Sequence, residues 1–153
     1  MSTGMKKPAE DVSLESMMRE LGEKFDKAMA RSYSINMDHD VPYVAGYSKD
    51  GRTYYIDRHL PKMFRSRSVL PFLLEHERSE KCALDSSNWK YPKAHQFATA
   101  REKRMVETYG YWSWADYQNF YKPYIKGIEK EDLTKLPLDL DLEPYQDEHD
   151  TAL

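Results

Sequence analysis

The chain has 153 residues, enough for one domain with a substantial core but not for two independent domains. Its formal net charge is only −3, so the chain has no excess of positive charge that would attract a polyanion. We therefore expect no binding to nucleic acid. The N-terminus lacks a signal peptide's hydrophobic segment, no apolar run is long enough to span a membrane, and the single cysteine, Cys82, can form no internal disulfide, so we expect a cytoplasmic protein.

The N-terminal part of the chain predicts a flexible segment followed by a helix. Residues 1–12 are polar, and we expect them to be flexible. From about Ser13, apolar residues recur at helical spacing without interruption, which predicts one buried helix face. The members of this face are Leu14, Met17, Met18, Leu21, Phe25, Ala28 and Met29.

The middle of the chain predicts a β-hairpin. Residues 41–47 and 52–57 are rich in β-branched and aromatic side chains, which favour strands. The four residues between them end in Gly51, which can take the positive φ that a hairpin turn requires. Pro42 restricts the first strand to an edge position, or itself to the start of the strand. Because two strands alone are marginal in water, we expect the hairpin to pack on the helices or to gain a further strand from elsewhere in the chain.

Polar connections precede and follow this hairpin. Residues 31–40 predict a loop, whose acidic triplet at residues 38–40 either binds a cation or forms a solvated turn. Residues 58–67 are basic and either dock an anionic group or form a solvated loop. His59 is a reserve metal ligand.

Two further helices follow the basic connection. Ser68 is a suitable N-cap and Pro71 fits a first turn, so we predict a helix that ends at the polar residues 85–88. Pro92 begins the next helix and Gly110 ends it.

These two helices carry four side chains that can bind a metal. His76 and Glu80 are four residues apart, and His95 and Glu102 are seven apart, so each pair shares one helix face. Each pair interrupts an otherwise apolar stripe, which predicts that all four polar groups are buried. Such burial is costly without partners, and a shared divalent cation satisfies all four groups. The alternative is that they bond to one another as a buried polar network.

A fourth helix is predicted from Ser113, because Ser113 and Asp116 resemble a capping box. We expect Pro123 to kink or end it. An aromatic cluster surrounds its start: Tyr109, Tyr111, Trp112, Trp114, Tyr117, Phe120, Tyr121 and Tyr124. The cluster forms a stacking platform or a protein interface, or it packs the helix on the domain; the helical spacing favours packing.

The chain ends in an acidic segment, residues 131–153. Leu138, Leu140 and Leu142 alternate with acidic residues, which predicts an extended arm with one apolar edge. The arm either adds to the sheet of a partner or folds back along its own domain. The predicted fold is therefore α+β and mainly helical, one domain over residues 13–130 with about four helices, one hairpin and a C-terminal arm.

A hairpin followed by a helix with the pattern His-Glu-x-x-Glu resembles the zincin-type metallopeptidases, whose HExxH motif supplies two zinc ligands and a general base. The resemblance covers residues 41–109. It implies that His76 is the first ligand and that Glu77 is the base that deprotonates a water molecule. Glu80 then stands where the family has its second histidine.

The same resemblance implies a complete site and a substrate. His95 is the third ligand, and Glu102 either orients a ligand or binds the metal itself. The resemblance implies one divalent metal ion, zinc above all, although iron or manganese also suits two histidines and a carboxylate. It also implies a peptide or protein substrate aligned by the edge of the strand at residues 52–57, with Tyr54, Tyr55, His59 or Tyr91 as the oxyanion donor.

The hairpin and the C-terminal arm together are similar, more weakly, to small proteins encoded by tailed phages and prophages. This second resemblance implies a non-catalytic virion or assembly protein, located in the host cytoplasm or the virion. Its arm and aromatic cluster would then contact other proteins or further copies of the chain.

Overall fold

A computed structural model describes residues 9–41, 44–130 and 136–142 of the chain. These residues form a small α+β domain, mainly helical as predicted, whose helices are α1 (Ala9–Met29), α2 (Leu70–Ser86), α3 (Tyr91–Tyr109) and α4 (Trp114–Lys130). The strands are β1 (Ser34–Asn36), β2 (Ala45–Tyr47), β3 (Thr53–Ile56), β4 (Met63–Phe64) and β5 (Arg67–Ser68). None of the helices in these ranges is long and apolar enough to cross a membrane.

Helix α1 differs from the prediction at its start and in its middle. It begins at Ala9, inside the segment expected to be flexible, while residues 1–8 lie outside the described ranges. Gly22 has φ 66°, a left-handed conformation open to glycine, and it divides the helix into two segments. The predicted uninterrupted stripe is therefore wrong at Gly22. Leu14, Leu21 and Phe25 nevertheless stay buried against α2 and α3.

The predicted hairpin is confirmed as β2 and β3, which pair antiparallel from Ala45 opposite Ile56 to Tyr47 opposite Tyr54. Gly51 in the connecting turn has φ 71°, as predicted. The position of Pro42 lies outside the described residues, so the prediction of an edge proline is not addressed.

Strand β1 was not predicted, because its sequence Ser-Ile-Asn lies in a segment of polar residues. It pairs in parallel with β3 and makes β3 the central strand of the order β1-β3-β2. The prediction that residues 52–57 present a free edge to a substrate is therefore wrong. The basic connection was also predicted as a loop, but it contains the short ribbon of β4 and β5.

Helices α2 and α3 form the main helix pair of the domain, and their ends follow the predicted signals. Pro71 and Pro92 occupy the first turns of α2 and α3. The prediction of Ser68 as the N-cap is wrong by one residue, because Val69 occupies that position; Ser68 Oγ accepts a hydrogen bond from the N–H of Leu70 at 3.2 Å. Gly110 ends α3, and its N–H donates to the carbonyl of Val106 at 3.0 Å. The sequence thus positions both helices that carry the candidate site.

Helix α4 begins as predicted, with Ser113 Oγ accepting the N–H of Asp116 at 3.0 Å. Pro123 lies inside α4 and does not end it, because the helix continues to Lys130. Most of the aromatic cluster packs in the core with α2 and α3, which confirms the packing interpretation. Its exposed members are Tyr109, Tyr111 and Tyr124.

Part of the C-terminal arm folds back onto β2 of its own sheet. Lys49 N–H donates to the carbonyl of Asp139, and Asp141 N–H donates to the carbonyl of Tyr47, both at 2.9 Å. A turn at residues 138–139 leaves Leu138 fully exposed while Leu140 is buried. The predicted single apolar edge is therefore wrong, and residues 131–135 and 143–153 lie outside the described part of the arm.

Candidate metal centre

Helices α2 and α3 bring His76, Glu80 and His95 together. One potential ligand atom from each of the three lies within 4.8 Å of the others. Glu80 Oε2 lies 3.3 Å from His76 Nε2 and 3.1 Å from His95 Nδ1. The two imidazole rings meet edge to face, with centroids 4.9 Å apart. The two faces that the sequence predicted to share polar residues thus converge in the structure.

Glu102 lies on the other side of His76 from this group. Its Oε1 is 2.9 Å from His76 Nδ1. When His76 carries its proton on Nδ1, this contact leaves Nε2 unprotonated and aimed at Glu80. Carboxylates in this position orient histidine ligands in many metal sites. Of the two roles predicted for Glu102, the geometry corresponds to the orienting one.

Three tyrosine hydroxyls, two of them from buried residues, hold the two carboxylates. Tyr47, on β2, donates to Glu80 Oε1 at 2.8 Å. Tyr117 and Tyr121, on α4, lie 2.5 and 3.3 Å from Glu102 Oε2. The sequence placed Tyr47 in a strand and the other two tyrosines in the aromatic cluster, for which packing, stacking or a protein interface was predicted, but not a bond to the carboxylates. The spacing of four between Tyr117 and Tyr121 was the one available signal that both hydroxyls reach the same point.

The charges in this cluster are strongly coupled. Burial by itself raises the pKa of Glu80, but hydrogen bonds from His76 and His95 outweigh it and lower that pKa to about 2. Burial opposes the charged form of His76, yet hydrogen bonds to Glu102 and Glu80 raise its pKa well above the usual value. In the metal-free protein the protonated form of His76 is therefore favoured, and a metal ion that binds to His76 would have to displace that proton.

Glu77 lies next to His76 on α2 and is partly buried. Burial, followed by the negative charge of Glu80, raises the pKa of Glu77 to about 8. No hydrogen bond or ion pair joins its carboxyl to another residue of the described ranges. A carboxyl whose pKa is raised from the acidic range toward neutral pH can both take up and release a proton, which suits it to proton transfer.

The centre opens to solvent on the side of His95. This residue was predicted to lie on a buried stripe, but 46% of its side chain is exposed, because it lies near the start of α3. A groove of about 660 Å³ opens beside it, lined also by Met17, Lys103 and Trp114 from three helices. Water and small groups can therefore approach His95 from this direction.

The four predicted oxyanion donors lie in different positions, and one of them, Tyr54, is buried in a cluster with Tyr47 and Leu74. Tyr91 Oη lies 3.1 Å from His95 Nδ1, inside the candidate centre. Tyr55 instead donates to the Asp139 carboxylate of the arm, at 2.6 Å. His59 lies 3.6 Å from Asp40 and is not part of the candidate centre, so its reserve role as a ligand is wrong for this site.

The predicted cation site at residues 38–40 also has another role. Asp40 is buried and accepts a hydrogen bond from Arg58 Nε at 2.6 Å, while His39 contacts the side chain of Asn36. The acidic triplet thus connects the sheet to the following loop.

Two imidazoles and one carboxylate are a donor set that suits zinc, iron(II) or manganese(II). The residues present fit such an ion, since His76, Glu80 and His95 supply one donor each and Glu102 orients His76 from behind. The arrangement can bind a divalent cation and place a carboxyl, Glu77, beside it. Comparisons of the chain with protein-family models, with curated proteins and with solved structures find no match.

Proposed function

We propose that His76, Glu80 and His95 bind one divalent metal ion, zinc above all, and that the protein is a metal-dependent hydrolase of amide bonds. The observation that carries the proposal is the convergence of these three ligand atoms within 4.8 Å. The described hydrogen bonds to Glu80 and Glu102 come from histidines and tyrosines, with no lysine or arginine among them. A divalent cation would compensate the excess of buried carboxyl groups.

The chain's own residues have distinct parts in the proposed reaction. When bound, the metal supplies Lewis acidity, which polarises a carbonyl group and makes water more acidic. Glu77 takes the proton of the attacking water and returns it to the leaving amine. Tyr91 Oη, beside His95, donates a hydrogen bond to the oxygen on which negative charge develops. Glu102 keeps His76 in the required orientation.

The proposal is tested by measuring the metal content of protein purified without chelators. We expect one metal ion per chain in the wild type and none in His76→Ala or His95→Ala. His39→Ala is the matched control, since His39 contacts Asn36 away from the centre and its loss should leave the metal content unchanged. Wild-type protein that contains no metal, and gains no thermal stability from zinc, iron or manganese, would contradict the proposal.

A second candidate is a non-catalytic structural or assembly protein, of the kind found in phage particles, in which the cluster is a buried polar network. What favours it is that every buried side-chain nitrogen and oxygen of the described residues has a hydrogen-bond partner without an ion. On this alternative the protein contains no metal, and particles or self-assembled material copurify with it. The metal measurement therefore separates the two candidates.

A further inference from the structure

The outer edge of β2 pairs with residues 139–141 of the chain's own C-terminal arm, at the end of the turn described above. Leu140 lies opposite Ser48 in an antiparallel bridge. The hydrogen bonds on either side, from Lys49 N–H to Asp139 and from Asp141 N–H to Tyr47, are both 2.9 Å long. Adding a short extended segment to a sheet edge in this way is how many domains bind peptides. The edge thus has the backbone geometry of a peptide-binding site.

Side-chain contacts make this edge selective. Leu140 is buried with Val41 and Tyr55 on the face of the sheet that points away from α2. A Cβ atom at Gly46 would lie 2.9 Å from Leu140 Cδ1, so the missing side chain makes room for the leucine. The Tyr55 hydroxyl donates to the Asp139 carboxylate at 2.6 Å. The edge therefore accepts a leucine that follows an acidic residue.

The same edge leads to the candidate metal centre. Tyr47 and Asp141 are direct neighbours across the antiparallel pairing, so their side chains project from the same face of the sheet. On that face, the Tyr47 hydroxyl donates to Glu80 at 2.8 Å. A segment bound to β2 consequently passes beside a residue that contacts a candidate ligand.

We propose that the outer edge of β2 is a peptide-binding site for short segments in which a leucine follows an acidic residue, and that residues 136–142 occupy it as a tethered ligand. Cleavage of the bound peptide depends on the proposed hydrolase activity, and the peptide then defines the substrate class of that hydrolase. Binding itself depends on the sheet edge and needs no metal. The arm then competes with any peptide that enters from solution.

The test measures binding of a fluorescent peptide with the sequence of residues 136–142 to the metal-free full-length protein, by fluorescence anisotropy. The wild type should bind weakly, because a tethered segment has a high effective concentration. Leu140→Asp should free the edge and tighten binding about tenfold or more. Leu138→Asp is the matched control, since Leu138 is fully exposed and its replacement should leave binding as in the wild type.

Two further variants and one exchange measurement complete the test. Adding Gly46→Val to Leu140→Asp should abolish peptide binding, because the valine fills the space of the leucine. Hydrogen exchange should show faster exchange at Lys49 and Asp141 in Leu140→Asp, with the β2–β3 amides still protected. Should that variant unfold, Leu140→Ala replaces it, with a smaller gain in affinity.

The proposal is overturned if Leu140→Asp, or Leu140→Ala in its place, binds the peptide no more tightly than Leu138→Asp does. That result would leave the hydrolase proposal intact, because metal content is measured separately. Conversely, tight peptide binding by Leu140→Asp without cleavage after zinc loading supports the peptide site and contradicts the hydrolase.

Discussion

The α2–α3 helix pair and the outer edge of β2 hold their partners by different means. In the helix pair, side chains bond to side chains, and Glu80 accepts hydrogen bonds from two histidines and a tyrosine in a buried position. At the β2 edge, backbone groups bond to backbone groups, and one buried leucine anchors the segment. We therefore expect a single substitution in the helix pair to leave a buried charged group without a partner. A single substitution at the edge releases a segment and leaves the domain behind it intact.

Tyr47 connects the two regions. Its carbonyl accepts the hydrogen bond from the arm, and its hydroxyl donates to Glu80. We therefore expect the region with more side-chain bonding to be more sensitive to mutation, and the region with backbone bonding to be better suited to exchange its ligand. Four predictions test this difference in order of decreasing effect.

The largest effect is expected from His76→Ala in the metal-free protein. This change removes the positive partner of Glu80 and Glu102, both 3% exposed, and should lower the free energy of unfolding by about 3–5 kcal/mol. Urea denaturation followed by circular dichroism measures it. His39→Ala should cost far less, and equal losses in the two variants would show that the buried cluster has no special role in stability.

Glu77→Gln separates catalysis from metal binding. The amide keeps the shape of the side chain but removes the base, so hydrolysis by the metal-loaded protein should fall by about 10² or more while metal content stays at one ion. Glu75→Gln is the matched control on the same helix, because Glu75 pairs with Arg101 instead. Full activity in Glu77→Gln, on a peptide that the wild type cleaves, would refute the base role.

Tyr117→Phe tests the support of the centre from α4. Loss of the hydroxyl that donates to Glu102 loosens the orientation of His76, so we expect zinc affinity to fall by about tenfold, measured by competition with a chelating dye. Tyr124→Phe is the control on the same helix, because Tyr124 is exposed. Equal zinc affinity in all three proteins would mean that Glu102 does not act on the ligand.

The smallest effect is expected at the β2 edge. Leu140→Ala removes buried apolar contacts with Val41 and Tyr55 and should cost about 2 kcal/mol or less, since the arm detaches while the rest of the domain stays folded. Leu138→Ala should change stability by no more than about 0.5 kcal/mol. A loss of metal from Leu140→Ala would show instead that the arm belongs to the core.

Local sequence signals are sufficient to predict the two helices that carry the centre and the residues that share a face on each helix. Pro71, Pro92 and Gly110 act on their own turns, and the spacings of His76 to Glu80 and of His95 to Glu102 are set by helical periodicity. These signals depend on nearby residues only, so they can be recognised without knowledge of the fold.

The contacts between these helices and the rest of the domain depend on the tertiary structure. It placed Glu102 behind His76, brought Tyr47 and Tyr117 from other elements to the two carboxylates, and paired the short polar strand β1 with β3. It also turned Leu138 outward and buried Leu140, although the two leucines look alike in the alternating sequence. Such contacts join residues far apart in the chain, and their energies depend on packing and burial that no local spacing records.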